Sequence, residues 1–122
     1  MKKIDIKYLG IPNICFSLTE KDDDREKYYI KQRQERGYDD SETWSLRDSI
    51  ANFIIPRLER FIEIDKEASI RDQKHTKYVN LFLNAMKLIS RDDGICIFTD
   101  DEAIQVSEGI EAFPKIFMSL WW

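Results

Sequence analysis

The chain has 122 residues, a formal net charge of −4, 43% hydrophobic and 34% charged residues. That balance supplies a core and a wet exterior, and no apolar run approaches the roughly 20 residues needed to span a bilayer. An acidic chain lacks the basic footprint expected of nonspecific DNA or RNA binding. Asp5, Lys7 and Pro12 interrupt what would have to be the hydrophobic region of a signal peptide, so a cytoplasmic location is expected.

Residues 1–19 read as extended. Ile4, Ile6 and Tyr8 alternate with Lys3, Asp5 and Lys7, Gly10-Ile11-Pro12-Asn13 reads as a turn, and Ile14-Cys15-Phe16 is a second apolar run. This pattern allows a short hairpin that would have to lean on helices, since a lone hairpin is marginal in water. Residues 20–40 are the most polar. Asp22-Asp23-Asp24 could cap a helix through Tyr28, Tyr29 and Ile30 to Arg36, with Gly37 as its stop; a mobile arm is the competing reading.

The next element is the clearest. Ser45 with Asp48 offers an N-cap and an acidic N3 residue, while Asp40 or Ser41 could cap a short preceding turn. Leu46, Ile50, Phe53, Ile54, Leu58, Phe61 and Ile62 then form one apolar stripe. Pro56 interrupts it and deprives the Asn52 carbonyl of its helical partner, so a kink is expected. Residues 64–75 read as a polar connection. A third element runs from about Thr76 to Ser90. Its stripe of Val79, Phe82, Leu83, Met86 and Ile89, widened by Tyr78, Leu81, Ala85 and Leu88, suits a central helix. The 46/50/54/58/61 stripe is expected to pack on 79/82/83/86.

Asp92-Asp93-Gly94 ends that helix, Ile95-Cys96-Ile97-Phe98 reads as a short strand, and Thr99 to Glu102 as a turn or an N-cap. From Glu102 the spacing is helical, with Ala103, Val106, Ile110, Phe113, Phe117 and Leu120 as the apolar positions. Gly109 and Pro114 weaken this helix, and Pro114 should kink or split it. Trp121 and Trp122 either pack back on the domain or form an exposed anchor.

The string Arg36-Gly37-Tyr38-Asp39-Asp40-Ser41-Glu42-Thr43-Trp44-Ser45-Leu46, then Pro56-Arg57-Leu58-Glu59-Arg60-Phe61, then Glu108-Gly109-Ile110, Phe113, Phe117 and Leu120-Trp121, resembles a group of small uncharacterised proteins of tailed bacteriophages and prophages. The likeness covers residues 36–62 and 108–122 and departs from the group's pattern at Pro114. It implies a phage or prophage context and brings no assigned chemistry with it.

Candidate chemistry is sparse. Cys15 and Cys96 stand singly in apolar strings and read as buried reduced thiols, and His75 is the sole histidine, so no zinc site is expected. The acid pairs at 22–24, 39–40, 92–93 and 100–101 fall at element boundaries, where acids cap helices; Mg²⁺ or Ca²⁺ binding is the lesser reading. No G-x-S-x-G, P-loop or G-x-G-x-x-G occurs. Trp44 reads as a staple at a helix entrance, and Arg57 and Arg60 as partners of Glu42, Glu59 or Glu63.

Charge is unevenly spread. Residues 25–36 carry five basic and two acidic side chains, whereas residues 92–111 carry seven acids and no Lys or Arg. The expected fold is mainly α, a small bundle of three to four helices in a single domain 1–122, with residues 1–35 an extended, hairpin or polar arm and 36–122 the helical core. The expected function is non-enzymatic binding of a host or phage protein, as a virion accessory, a host-takeover factor or a nuclease inhibitor whose acids imitate nucleic acid. Asp92, Asp93, Asp100, Asp101, Glu102, Trp121 and Trp122 are the candidate surface. No catalytic residue, cofactor or metal is expected, and a homo-oligomer is compatible with the two charge patches. The alternatives are a nucleic-acid module using Arg25, Lys31, Arg33 and Arg36, and a small enzyme with an unrecognised site.

Overall fold

The computed structural model describes residues 17, 23–68, 72–91 and 97–121. These residues are mainly helical, as expected, with four α-helices and no strand among them. The expected hairpin at 1–19, both cysteines, Asp92, Asp93 and Trp122 lie outside the described residues. The sequence reads as one domain; the chain clusters into two compact units, Met1–Phe53 and Ile54–Trp122.

In the first unit the polar segment is a helix, α1 (Glu26–Arg36), whose Glu26 N–H donates to the Asp23 carbonyl at 2.9 Å. Gly37 stops it at φ 83, a left-handed conformation open to glycine without a Cβ penalty, and its N–H donates to the Arg33 carbonyl at 2.9 Å. A 3-10 turn, Asp40–Thr43, follows. Its cap is Asp39, one residue before Asp40 and two before Ser41, the caps expected from sequence. The Asp39 carboxylate accepts from the Ser41 N–H at 2.8 Å while Glu42 accepts from the Asp39 N–H at 2.7 Å, a reciprocal capping box.

The second helix, α2, spans Leu46–Ala68. Ser45 precedes it and its hydroxyl donates to the Asp48 carboxylate at 2.7 Å. Pro56 lies inside a helix that carries on well past it. The helix also absorbs part of the polar connection expected at 64–75. Within the first unit, Ala51 is buried but Leu46, Ile50 and Phe53 are exposed. The apolar stripe read from the sequence is therefore not a single buried face. It is buried at Leu58 and half-buried at Ile54, Phe61 and Ile62, all in the second unit.

In the second unit, α3 (Gln73–Ser90) starts three residues earlier than its spacing suggested, because Asp72 caps it by accepting from the His75 N–H at 2.9 Å. Val79, Phe82, Leu83, Ala85, Met86 and Ile89 are buried, a face wide enough for a central helix. It packs along α4 (Asp100–Ile116), and Phe82 stacks on Phe113 at 4.6 Å. The ring partner of Phe82 thus comes from α4.

Gly109 sits where the backbones of α3 and α4 come closest: a Cβ added there would lie 2.5 Å from the Leu81 carbonyl oxygen. The glycine that weakens the helix locally is what lets α4 approach. Pro114 is held inside α4, which continues to Ile116 before a 3-10 turn, Phe117–Ser119. Ile97 and Phe98, the described part of the expected strand, are irregular backbone.

Candidate functional site

The start of α4 is fixed from both sides. Thr99 is its N-cap: its hydroxyl accepts from the Glu102 N–H at 3.2 Å, and the Glu102 carboxylate accepts from the Thr99 N–H at 2.9 Å. Arg91, at the end of α3, pairs with the other Glu102 oxygen and donates to the Ile97 carbonyl at 2.5 Å. The Thr99 backbone and the Arg91 guanidinium hold the Glu102 carboxyl below its ordinary range. Glu102, expected as part of a partner surface, is thus committed to joining the two helices.

The other described acids of this segment point outward. Asp100, Asp101, Glu108 and Glu111 are exposed, and no cation among the described residues forms an ion pair with them. Asp100 and Asp101 occupy the first turn of α4, where carboxylates also favour the helix dipole.

Large apolar side chains share this exterior. The buried positions of α4 are Gly109, Ala112 and Ile116. At about 100° per residue the predicted stripe of 103/106/110/113/117 is centred about 105° away from them. Its inner edge, Val106 and Phe113, is half-buried; Ile110 and Phe117 stay in water, as does Ile104 on another side of the helix. Met118 is 85% exposed and Trp121 65% exposed.

The basic segment has the opposite character. Arg33 is completely buried and paired with Glu26 and Asp39, and it donates to the Ser17 hydroxyl at 3.0 Å. Burial alone would raise the Asp39 carboxyl, but hydrogen bonds from Ser41, Ser17 and Arg33 outweigh it and hold it below the ordinary value. Arg33 therefore cannot reach a phosphate, which removes it from the nucleic-acid alternative.

The other cations of that alternative are exposed but compensated. Arg25 pairs with Asp23 at 3.0 Å and lies 4.7 Å over the Trp44 ring, Lys31 faces Glu35 at 3.9 Å, and Arg36 pairs with Asp40 at 2.6 Å. Trp44 itself is half-exposed and meets Tyr29 edge-on at 5.8 Å, so it links α1 to the turn before α2. Among the described residues no group of three or more His, Cys, Asp or Glu is placed to hold a metal ion.

Comparison with known protein families, curated proteins and solved structures finds no match to this chain.

Two features escaped the sequence reading. The Glu26–Arg33–Asp39 cluster joins residues seven and six apart, one partner lying beyond a left-handed glycine, and no helical pairing rule reaches across that turn. Gly109 carries a usable signal, a glycine amid helix formers, and here that signal marks a close approach of two helices.

Proposed function

We propose that this chain is a non-enzymatic phage or prophage protein that acts by binding a partner protein through the outer side of α4 and the turn after it. One observation carries the reading: Ile104, Ile110, Phe117, Met118 and Trp121 are exposed along α4 and the turn after it, and the same helix exposes four carboxylates that no described cation pairs with. Exposed apolar side chains grouped in one region mark interaction surfaces more often than they mark ordinary exterior. The carboxylates would select a basic partner and speed its encounter. A nuclease that normally holds nucleic acid in a basic groove fits that chemistry, with the acids standing in for phosphates; a virion or host-takeover partner with a basic patch is the other version. The place of action would be the host cytoplasm or the virion.

The test is affinity capture from infected or lysogenic cells with the wild-type chain and with the Ile104→Asp/Ile110→Asp double variant. Both isoleucines are exposed, so the variant should fold. A protein retained by the wild type at low salt, released by added salt and lost with the variant supports the proposal. Equal capture by both, or recovery of nucleic acid in place of a protein, overturns it.

A further inference from the structure

Within the second unit α3 and α4 run antiparallel, and their side-chain contacts set the register between them. The Tyr78 ring lies 4.7 Å from the Lys115 ammonium, Phe82 stacks on Phe113 at 4.6 Å, the Asn84 amide donates to Gln105 at 2.8 Å, and Arg91 pairs with Glu102. The helix pair has two sides. Phe82 is buried and Phe113 half-buried on one, whereas Asn84 and Gln105 are both exposed and their hydrogen bond crosses the other.

That exposed side is divided by charge. Lys77 and Lys87 stand seven and three residues from Asn84, so they share its strip of α3, a helix that contains three lysines and no acid. Asp101 and Glu108 stand four and three residues from Gln105 and share its strip of α4, with Ile104 and Glu111 along the outer margin. The one cation of α4, Lys115, is turned to the Tyr78 ring. Lys77 and Lys87 are exposed and, like the acids facing outward on α4, form no ion pair among the described residues. A basic and an acidic strip thus lie side by side, and neither is compensated by the other.

The register makes this side complementary to itself. Lys87 falls midway between Asn84 and Arg91, which places it level with Ile104, between Asp101 and Glu108. Lys77 precedes Tyr78 and so lies about one turn from Glu111 along the pair. A two-fold axis parallel to the helices lays α3 of one copy on α4 of another at the same level. Each Lys87 then meets Asp101 and Glu108 of the other copy, each Lys77 approaches Glu111, and the symmetry makes every such contact twice. A two-fold axis across the helices would set lysine on lysine and acid on acid, which repel.

We propose that two copies of this chain pair across the exposed side of α3 and α4, with α3 of each copy on α4 of the other. Helices about 26 Å long and together about 20 Å wide offer roughly 500 Å² per copy, less than the roughly 800 Å² per partner of a standard interface. The pair is therefore a weak one, set by charge complementarity and sensitive to salt, since exposed ion pairs contribute little singly. It draws on the basic strip of α3, not on the compensated cations of α1. It does not rest on the partner reading above: a second copy and a basic partner would compete for the same carboxylates, but the experiment needs this chain alone.

The experiment is sedimentation equilibrium of the full chain. A monomer–dimer equilibrium should appear at about 0.02 M salt and weaken at least about tenfold at about 0.5 M, as the screening length falls from roughly 20 Å to roughly 4 Å. Lys77→Glu/Lys87→Glu and Glu108→Lys/Glu111→Lys, all at exposed positions outside the first turn of α4, should each stay monomeric. Mixed in equal amounts they should pair again, because the reversed strip of each variant faces the reversed strip of the other while the unaltered strips still match. Where a double variant loses its helical circular dichroism, Lys87→Glu and Glu108→Lys singly perform the same exchange. A chain that is monomeric at low salt, a dimer indifferent to both reversals, folded variants that do not pair when mixed, or species that grow past the dimer with concentration would overturn the proposal.

Discussion

Gly109 faces Ala85 so closely that a Cβ built on the glycine would stand 2.3 Å from the alanine Cβ. The Leu81 carbonyl oxygen would be 2.5 Å away, and a backbone atom inside a helix cannot swing aside as a side chain can. Gly109→Ala should therefore destabilise the protein by about 1–3 kcal/mol, the usual cost of overpacking. This runs against the gain of about 1 kcal/mol that alanine brings to an ordinary helix interior. Urea denaturation of Gly109→Ala beside the exposed Ser107→Ala checks it; a Gly109→Ala variant as stable as wild type would mean that the helices part easily.

The buried Arg33 cluster gives a second expectation. Arg33→Met removes the cation and leaves Glu26 and Asp39 buried together, which should cost about 3–5 kcal/mol. Arg33→Met with Glu26→Gln and Asp39→Asn removes all three charges and should recover much of that loss, since replacing a buried ionic set by neutral groups is far cheaper than breaking it. Chemical denaturation of the single and triple variants decides whether the cost arises from stranded charge or from lost packing.

The same cluster sets a pH dependence. Asp39 is held below its ordinary value, so its contribution to stability is fully present above the unfolded-state value near 3.9 and is lost as pH falls through the folded one. Unfolding free energy should be flat from neutral pH down to about pH 5 and fall below about pH 4. Asp39→Asn should be less stable near neutrality, with a shallower acid limb. Urea midpoints measured across that range read out the slope.

How far the sequence displayed this molecule depends on the kind of signal. Periodic and punctuating residues were legible: Gly37 as a stop, Ser90 as the end of α3, the broad face of α3 and the cap at Thr99 all follow from local rules. Facing was not. The stripe through Leu46, Ile50 and Phe53 has helical spacing, yet those residues are exposed, because periodicity shows that apolar residues share a side and says nothing of what covers it. On α4 the large residues drew the eye to one side while the small ones, Gly109 and Ala112, made the contact. Of the candidate site, Asp100, Asp101 and Trp121 are placed outward; Glu102 and Arg33 are spent on holding the fold, each by a partner distant in sequence or across a turn.

Leu58 and Phe82 are both buried, at 3% and 5% exposure. Leu58→Ala and Phe82→Ala should each cost about 2–5 kcal/mol, as large-to-small changes in a core do. Phe82→Ala also removes the stacked contact with Phe113, so its loss should shrink in a Phe113→Ala background. Denaturant titration of the double-mutant cycle measures that coupling, and Leu58→Ala, with no part in the ring pair, should add to Phe113→Ala without coupling.

The exposed acids of α4 supply the last prediction. Asp100 and Asp101 lie in the first helical turn, so reversing them to Lys would oppose the helix dipole as well as the partner, and the two effects would be confused. Asp100→Asn/Asp101→Asn separates them. The Thr99–Glu102 capping box stays in place, and the loss of two dipole-favouring charges should cost about 0.6–2 kcal/mol together. Affinity for a basic partner should fall, chiefly through a slower association rate, and its salt dependence should flatten, because exposed charges act over about 10 Å at 0.1 M salt. Lys31→Glu is the control: this lysine is already compensated by Glu35, so its reversal should leave binding unchanged. Stopped-flow or surface-binding kinetics at two salt concentrations measure both. If Lys31→Glu abolishes binding and the Asn variant does not, the acidic surface is not the interface, and the basic helix α1 becomes the place to look.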